Sequence, residues 1–185
     1  MFKLTLPYLT FDYDVDFLLT KQSILHVSIW RYSFYIHITS SIFVLLFGAF
    51  QFIPTQSIRV LKIHRVLGKL YVLIIILLSA PSGLVMAFYA NGGMWAKISF
   101  VSISILWWLF TFLAYTKIRK KNIESHRNYM TRSYALTLSA ITLRTYALFL
   151  PFFIHLQSNH MYVLIAWISW VPNLLIAELI IKKTN

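Results

Sequence analysis

Five apolar stretches constrain this chain more than any other feature: residues 34–53, 70–90, 98–116, 133–154 and 161–181. The first three carry no charge, the fourth carries only Arg144 and the fifth only Glu178. At about 1.5 Å of rise per residue, each is long enough to cross the roughly 30 Å hydrocarbon layer of a bilayer as an α-helix. The expected fold is therefore all-α, a polytopic transmembrane helical bundle of about five spans within residues 31–185. Composition requires the same: 59% of the residues are hydrophobic and 12% charged, against about 25% charged in average soluble chains. The excess apolar surface has to face lipid.

The connections fit this count. Pro54 ends the first stretch, because proline cannot continue a helix in register. Asn91, Gly92 and Gly93 form a turn after the second, and Pro151 kinks or ends the fourth. Pro81 and Pro172 lie inside spans, where membrane helices tolerate proline. Residues 1–30 form a separate N-terminal segment, extracytoplasmic or interfacial. Pro7, Asp12, Asp14 and Asp16 interrupt any apolar core there, so it does not read as a secretory signal. Residues 15–30 suit an interfacial helix with its apolar side on the headgroups.

The chain carries 17 Lys and Arg against 5 Asp and Glu, and their placement sets an orientation. Arg59, Lys62, Arg65 and Lys69 precede the second span; Lys117, Arg119, Lys120, Lys121 and Arg127 link the third and fourth; Lys182 and Lys183 follow the fifth. With five spans all of these fall on one side, and the opposite loops hold only Lys97. The positive-inside rule makes the basic loops and the C-terminus cytoplasmic, in a bacterial inner membrane, where they meet anionic lipid headgroups. No contiguous basic face exists to hold a phosphate backbone, so nucleic acid is not the expected partner. The absence of cysteine excludes disulfides, iron–sulfur clusters and thiolate nucleophiles.

Polar groups inside a bilayer are costly, which makes their helical phase informative. His126, Ser133, Thr137 and Arg144 fall on one line of the fourth span; His64, Gly68, Tyr71, Ser82 and Tyr89 share a face of the second; His37, Ser41, Gly48 and Gln51 share one of the first. Interhelical packing accounts for many of the small and hydroxyl positions. The histidines point further. His64 and His126 each precede their span by about six residues, and both spans start on the basic side, so the two rings sit at similar depth. Two neutral imidazoles from different helices are what a b-type haem iron requires as axial ligands, and a metal ion or a quinone carbonyl could use the same pair. The bland reading is a pair of interfacial histidines bonded to headgroups or loop carbonyls. A second cofactor site could combine His37 with His155 or His160. Arg144 has no carboxylate at its depth, since Glu178 lies near the basic end beside Arg132. Arg132–Glu178 is then a structural ion pair, and Arg144 is left for an anion, carbonyls or water. No G-x-x-x-x-G-K-[ST], G-x-S-x-G or H-E-x-x-H motif occurs.

Several strings taken together resemble one bacterial family of multi-pass membrane proteins. They are LKIHRVLGKLYV at 61–72, PSGL at 81–84, ANGG at 90–93, HRNYMTRSYALT at 126–137, TLR at 142–144 and WVPNL at 170–174. The likeness covers residues 30–183, and the string at 126–137 is its most specific part. The resemblance implies a multi-pass membrane fold and supplies no activity, because the family's domain has no assigned function. It places His37, His64, His126, Arg144, Asn173 and Glu178 within the region of likeness. Members of the family begin with one further transmembrane helix, for which residues 1–30 offer no obvious equivalent.

The functional expectation is a redox-type membrane protein that binds a b-type haem or a quinone between spans two and four and works with a redox partner. His64 and His126 are the ligands, Tyr71 and Ser133 supporting partners, and small residues below the rings leave room for a flat ligand. Two rivals remain: a small transporter or permease with Arg144 and Asn173 along its path, and an accessory subunit without catalysis.

Overall fold

The computed structural model describes residues 8, 12, 14–54 and 57–184. Among them there is no strand. Five helical runs are long and apolar enough to cross a membrane: Ser28–Phe50, Ile58–Phe88, Gly93–Arg119, Ile123–Phe153 and Ser158–Thr184. We label the elements α1 (Asp16–Leu19), α2 (Ser28–Phe50), α3 (Ile58–Ile74), α4 (Ala80–Phe88), α5 (Gly93–Arg119), α6 (Ile123–Phe153), α7 (Ser158–Ile168) and α8 (Val171–Thr184). A π-helical turn, Ile75–Ser79, joins α3 to α4 in one span, and a break at Ser169 and Trp170 separates α7 from α8 in another.

Local chemistry sets the ends. Ser57 caps α3 by accepting from the Val60 amide, and Asn122 caps α6 by accepting from Ser125. The turn from α4 to α5 is built on Gly92 and Gly93, both at positive φ (78° and 76°). A Cβ on Gly92 would also lie 2.8 Å from the Tyr162 ring. Both departures from α-geometry inside the spans adjoin a proline. Pro81 has no N–H to offer the carbonyl four residues back, and the preceding turn widens so that the Ala80 amide reaches Ile75 O. Pro172 follows the break in the last span, where Thr142 and Asn173 side chains donate to Ser169 O.

The bundle is apolar outside and small or hydroxylated within. Phe43, Leu73, Leu77, Ile105 and Leu179 are each more than half exposed, whereas Ser79, Ser99, Thr111, Ser133, Ala96, Ala114 and Ala166 are fully buried. That distribution suits lipid as the surrounding solvent and close helix approach inside. Ser99 donates to Ala166 O and accepts from the Trp170 indole, tying α5 to the last span. At Gly48 a Cβ would fall 2.5 Å from the Tyr134 ring and 2.7 Å from Tyr71, so only glycine lets both rings press on α2.

Residues 15–30 do not form one interfacial helix. They make α1, a 3-10 turn at Gln22–Ile24 and the start of α2, so the first long helix begins six residues before residue 34. Tyr8, Leu18, Trp30, Phe34 and Ile38 form a second buried cluster. Lys21 crosses from this segment to the α4–α5 turn, donating to Tyr89 O at 2.6 Å and Asn91 Oδ1 at 2.7 Å. The N-terminal segment therefore packs on the end of the bundle opposite the basic loops, which we call the capped end.

Candidate functional site

Two polar centres lie in the bundle, one at the basic end and one towards the capped end, with a hydrogen-bonded layer between them. At the basic end α5 and α6 form a hairpin. His126, in the first turn of α6, uses Nδ1 to bond Ala114 O of α5 at 2.8 Å. A carbonyl only accepts, so Nδ1 carries the proton, and in the neutral ring Nε2 keeps its lone pair. His64 projects from α3 within electrostatic range of His126. Its Nδ1 is buried and has no hydrogen-bond partner among the described residues. A buried polar atom left without a partner costs on the order of 1–3 kcal/mol, which makes it a place where a ligand would be favoured. Both rings are half-buried.

The space beneath these rings is filled. Ala114, Met130 and Tyr71 belong to one buried core cluster, and Tyr71 is 0% exposed. The Tyr71 hydroxyl bonds both Ser133 Oγ and Thr137 Oγ1 at 2.9 Å. Trp107 Nε1 donates to Thr137 Oγ1 at 3.0 Å, and Thr111 shares a hydrogen bond with Ser133 at 2.7 Å. Tyr71 thus occupies the room that the small residues Ser133 and Thr137 leave. Two imidazoles would suit iron, His126 being held by its bond to Ala114 O in the tautomer that leaves the Nε2 lone pair free. A porphyrin reaching from the rings towards the bilayer centre would require Met130 and Tyr71 to repack.

Towards the capped end, His37 Nδ1 donates to Ser79 O at 2.8 Å, beside the π-turn. Its ring lies against Gly83, where a Cβ would come within 2.9 Å of Cε1. Ser40 and Ser79 hydroxyls join at 2.7 Å, and the buried Ser41 hydroxyl has no partner among the described residues. Arg144 is within electrostatic range of both His37 and Tyr8, and its Nη1 donates to Ala140 O one turn back at 2.9 Å. His155 and His160 are exposed, and His155 lines a separate groove with Pro151 and Tyr162.

Arg132 and Glu178 meet in a bidentate pair: Nε and Nη2 donate to the two carboxylate oxygens at 2.5 and 2.8 Å. Arg132 also lies over the Tyr129 ring at 5.3 Å. Asn173 donates to Ala135 O, Thr142 Oγ1 and Ser169 O, which occupies it at the break in the last span. Sequence reasoning did not find the partners of the histidines, Ala114 O and Ser79 O, because they are backbone atoms. Pro81, two residues after Ser79, was the available signal that this helix departs from regular geometry. Lys21, half the N-terminal tether, was hidden by its position in a polar segment.

No curated protein and no solved structure matches the chain. A family model does match, over residues 34–181, which covers all five spans in large part and both polar centres. The chain belongs to the family described as predicted membrane protein DUF2306.

Proposed function

We propose that this multi-pass membrane protein binds the headgroup of a membrane-dissolved quinone at its basic end, between His64 and His126, as a redox-type protein acting with an electron-transfer partner. The observation that carries this reading is the buried Nδ1 of His64, which has no partner among the described residues and lies within electrostatic range of an imidazole already fixed on Ala114 O. The pair offers complementary chemistry. In the neutral ring, His126 Nε2 accepts the O–H of a quinol, and His64 Nδ1, when protonated, donates to a quinone carbonyl. A quinone suits the place better than a haem because its headgroup is smaller and its tail extends into lipid, leaving the Tyr71 layer intact. Both rings are half-buried, so a proton taken from the headgroup can pass to water at the basic end.

The test is a preparation in mild detergent, examined two ways. Organic extraction should recover about one quinone per chain from wild type, and much less from His64→Leu and His126→Leu. An oxidised and a dithionite-reduced visible spectrum should lack a Soret band and a sharp reduced α band. A stoichiometric haem spectrum that both substitutions abolish would replace quinone with haem at the same pair. Quinone retained in full by both variants would refute the site.

The transporter reading has its best support in Arg144 and the capped-end centre. The layer of Tyr71, Trp107, Thr111, Ser133 and Thr137 separates that centre from the basic end, and Asn173 is engaged structurally. Transport would need this layer to open.

A further inference from the structure

We propose that the capped-end centre is a binding site for a small oxyanion that still carries an acidic hydroxyl, such as dihydrogen phosphate or a hydrogen dicarboxylate, held between Arg144 and His37 beneath the N-terminal segment. The site is distinct from the His64–His126 pair and does not rest on the quinone reading.

Depth brings the groups together. His37 lies nine residues from the Ser28 end of α2, Ser79 nine residues from the Phe88 end of α4, and Arg144 nine residues from the Phe153 end of α6. At 1.5 Å per residue, all three stand about 13–14 Å inside the capped end. The helices that carry them, α2 and α6, pack against each other, and the Arg144 charge reaches the His37 ring.

The guanidinium needs an anion. Among the described residues its one hydrogen bond is to Ala140 O on its own helix, and the only ion pair is Arg132–Glu178, at the other end of the bundle. An arginine at this depth, half-buried and without a carboxylate, is costly unless water or an anion meets it. Its five donors in a fixed fork match a planar carboxylate or a phosphate face.

His37 narrows the class of ligand. Ser79 O can only accept, so Nδ1 must carry the proton, and Nε2 of the neutral ring is a lone pair. The charge acting on the ring is that of Arg144 on α6, while α4 and α5 present Gly83 and Ser104. On the neutral ring a bare anion would meet that lone pair. A ligand with one anionic oxygen and one O–H satisfies both groups: the oxygen accepts from Arg144, and the O–H donates to His37 Nε2. Gly83 leaves the ring its place, and Tyr8 of the N-terminal cluster lies within electrostatic range of Arg144.

The ligand could be a free anion or the phosphomonoester headgroup of a lipid, and two measurements separate them. Thermal unfolding of the detergent-purified full chain is followed with phosphate, hydrogen malonate or chloride at matched ionic strength. Native mass spectrometry reads any retained phosphomonoester lipid. A free anion site predicts that phosphate or hydrogen malonate, and not chloride, stabilises wild type, with apparent affinity about tenfold weaker in Arg144→Gln and in His37→Gln. A lipid site predicts one retained lipid per chain that these variants lose. His155→Gln, on an exposed histidine, should behave as wild type in either case. If Arg144→Gln does not fold, His37→Gln decides alone. Neither stabilisation nor a retained lipid in wild type, or an unchanged response in His37→Gln, overturns the proposal.

Discussion

Lys21 shows how much one residue can hold at the end of a membrane bundle. It is 3% exposed, and its ammonium bonds Tyr89 O and Asn91 Oδ1. Burial first, and the like charge of Lys97 second, lower its pKa from 10.5 to about 8. Because the folded value lies below the unfolded one, the unfolded chain holds more protons between about pH 8 and 10.5, and stability rises with pH across that window. Below about pH 8 both states are protonated and the cost is constant. The thermal midpoint of wild type should therefore rise from pH 8 to 10 relative to that of Lys21→Met; parallel curves would contradict the assignment. Gly83 is the second residue-scale test. An added methyl would sit 2.9 Å from His37 Cε1, so Gly83→Ala should cost about 1–3 kcal/mol and push the ring off Ser79 O. An unchanged unfolding midpoint would mean that the ring has another place to go.

At the scale of elements, the hydroxyl layer joins the second, third and fourth spans. Tyr71→Phe leaves Ser133 and Thr137 short of a partner and should lower stability by about 1–2 kcal/mol in detergent unfolding. A neutral result would show that the layer repacks readily. The Arg132–Glu178 pair should matter less, about 1 kcal/mol or below, because the two side chains are 21% and 46% exposed. Glu178→Gln should fold and function, and the charge swap Arg132→Glu with Glu178→Arg should recover any loss. If Glu178→Gln alone abolishes function in a folded protein while Arg132→Gln does not, Glu178 acts as more than a structural partner. Element identity was legible in the sequence because lipid demands long uncharged helices, a signal that survives without any tertiary information. Exact ends were less legible. Helices α3 and α6 begin in polar residues ahead of the apolar stretches, since capping by Ser57 and Asn122 sets their starts and hydropathy does not. The shared face of Ser133 and Thr137 was legible too. That Tyr71 fills the space beside them was not, because a hydroxyl stripe reads the same whether a ligand or a tyrosine bonds to it.

For the whole molecule, the basic loops mark one end and the N-terminal segment caps the other, and each end carries a histidine whose Nδ1 is fixed on a backbone carbonyl. The positive-inside rule predicts that the basic end and the C-terminus are cytoplasmic. A C-terminal reporter active only on the cytoplasmic side is the expected outcome; activity only on the other side would reverse the orientation and both proposed sites with it. The central claim, a ligand held between His64 and His126, is tested most directly by ¹⁵N NMR of histidine-labelled protein in nanodiscs, with and without a short-chain quinone. The account predicts that the His64 Nδ1 and His126 Nε2 resonances move on addition of the quinone. His126 Nδ1 should stay on Ala114 O, and the exposed His155 and His160 should remain unshifted. Quinone addition that moves neither His64 nor His126, or that moves only the exposed rings, would contradict it.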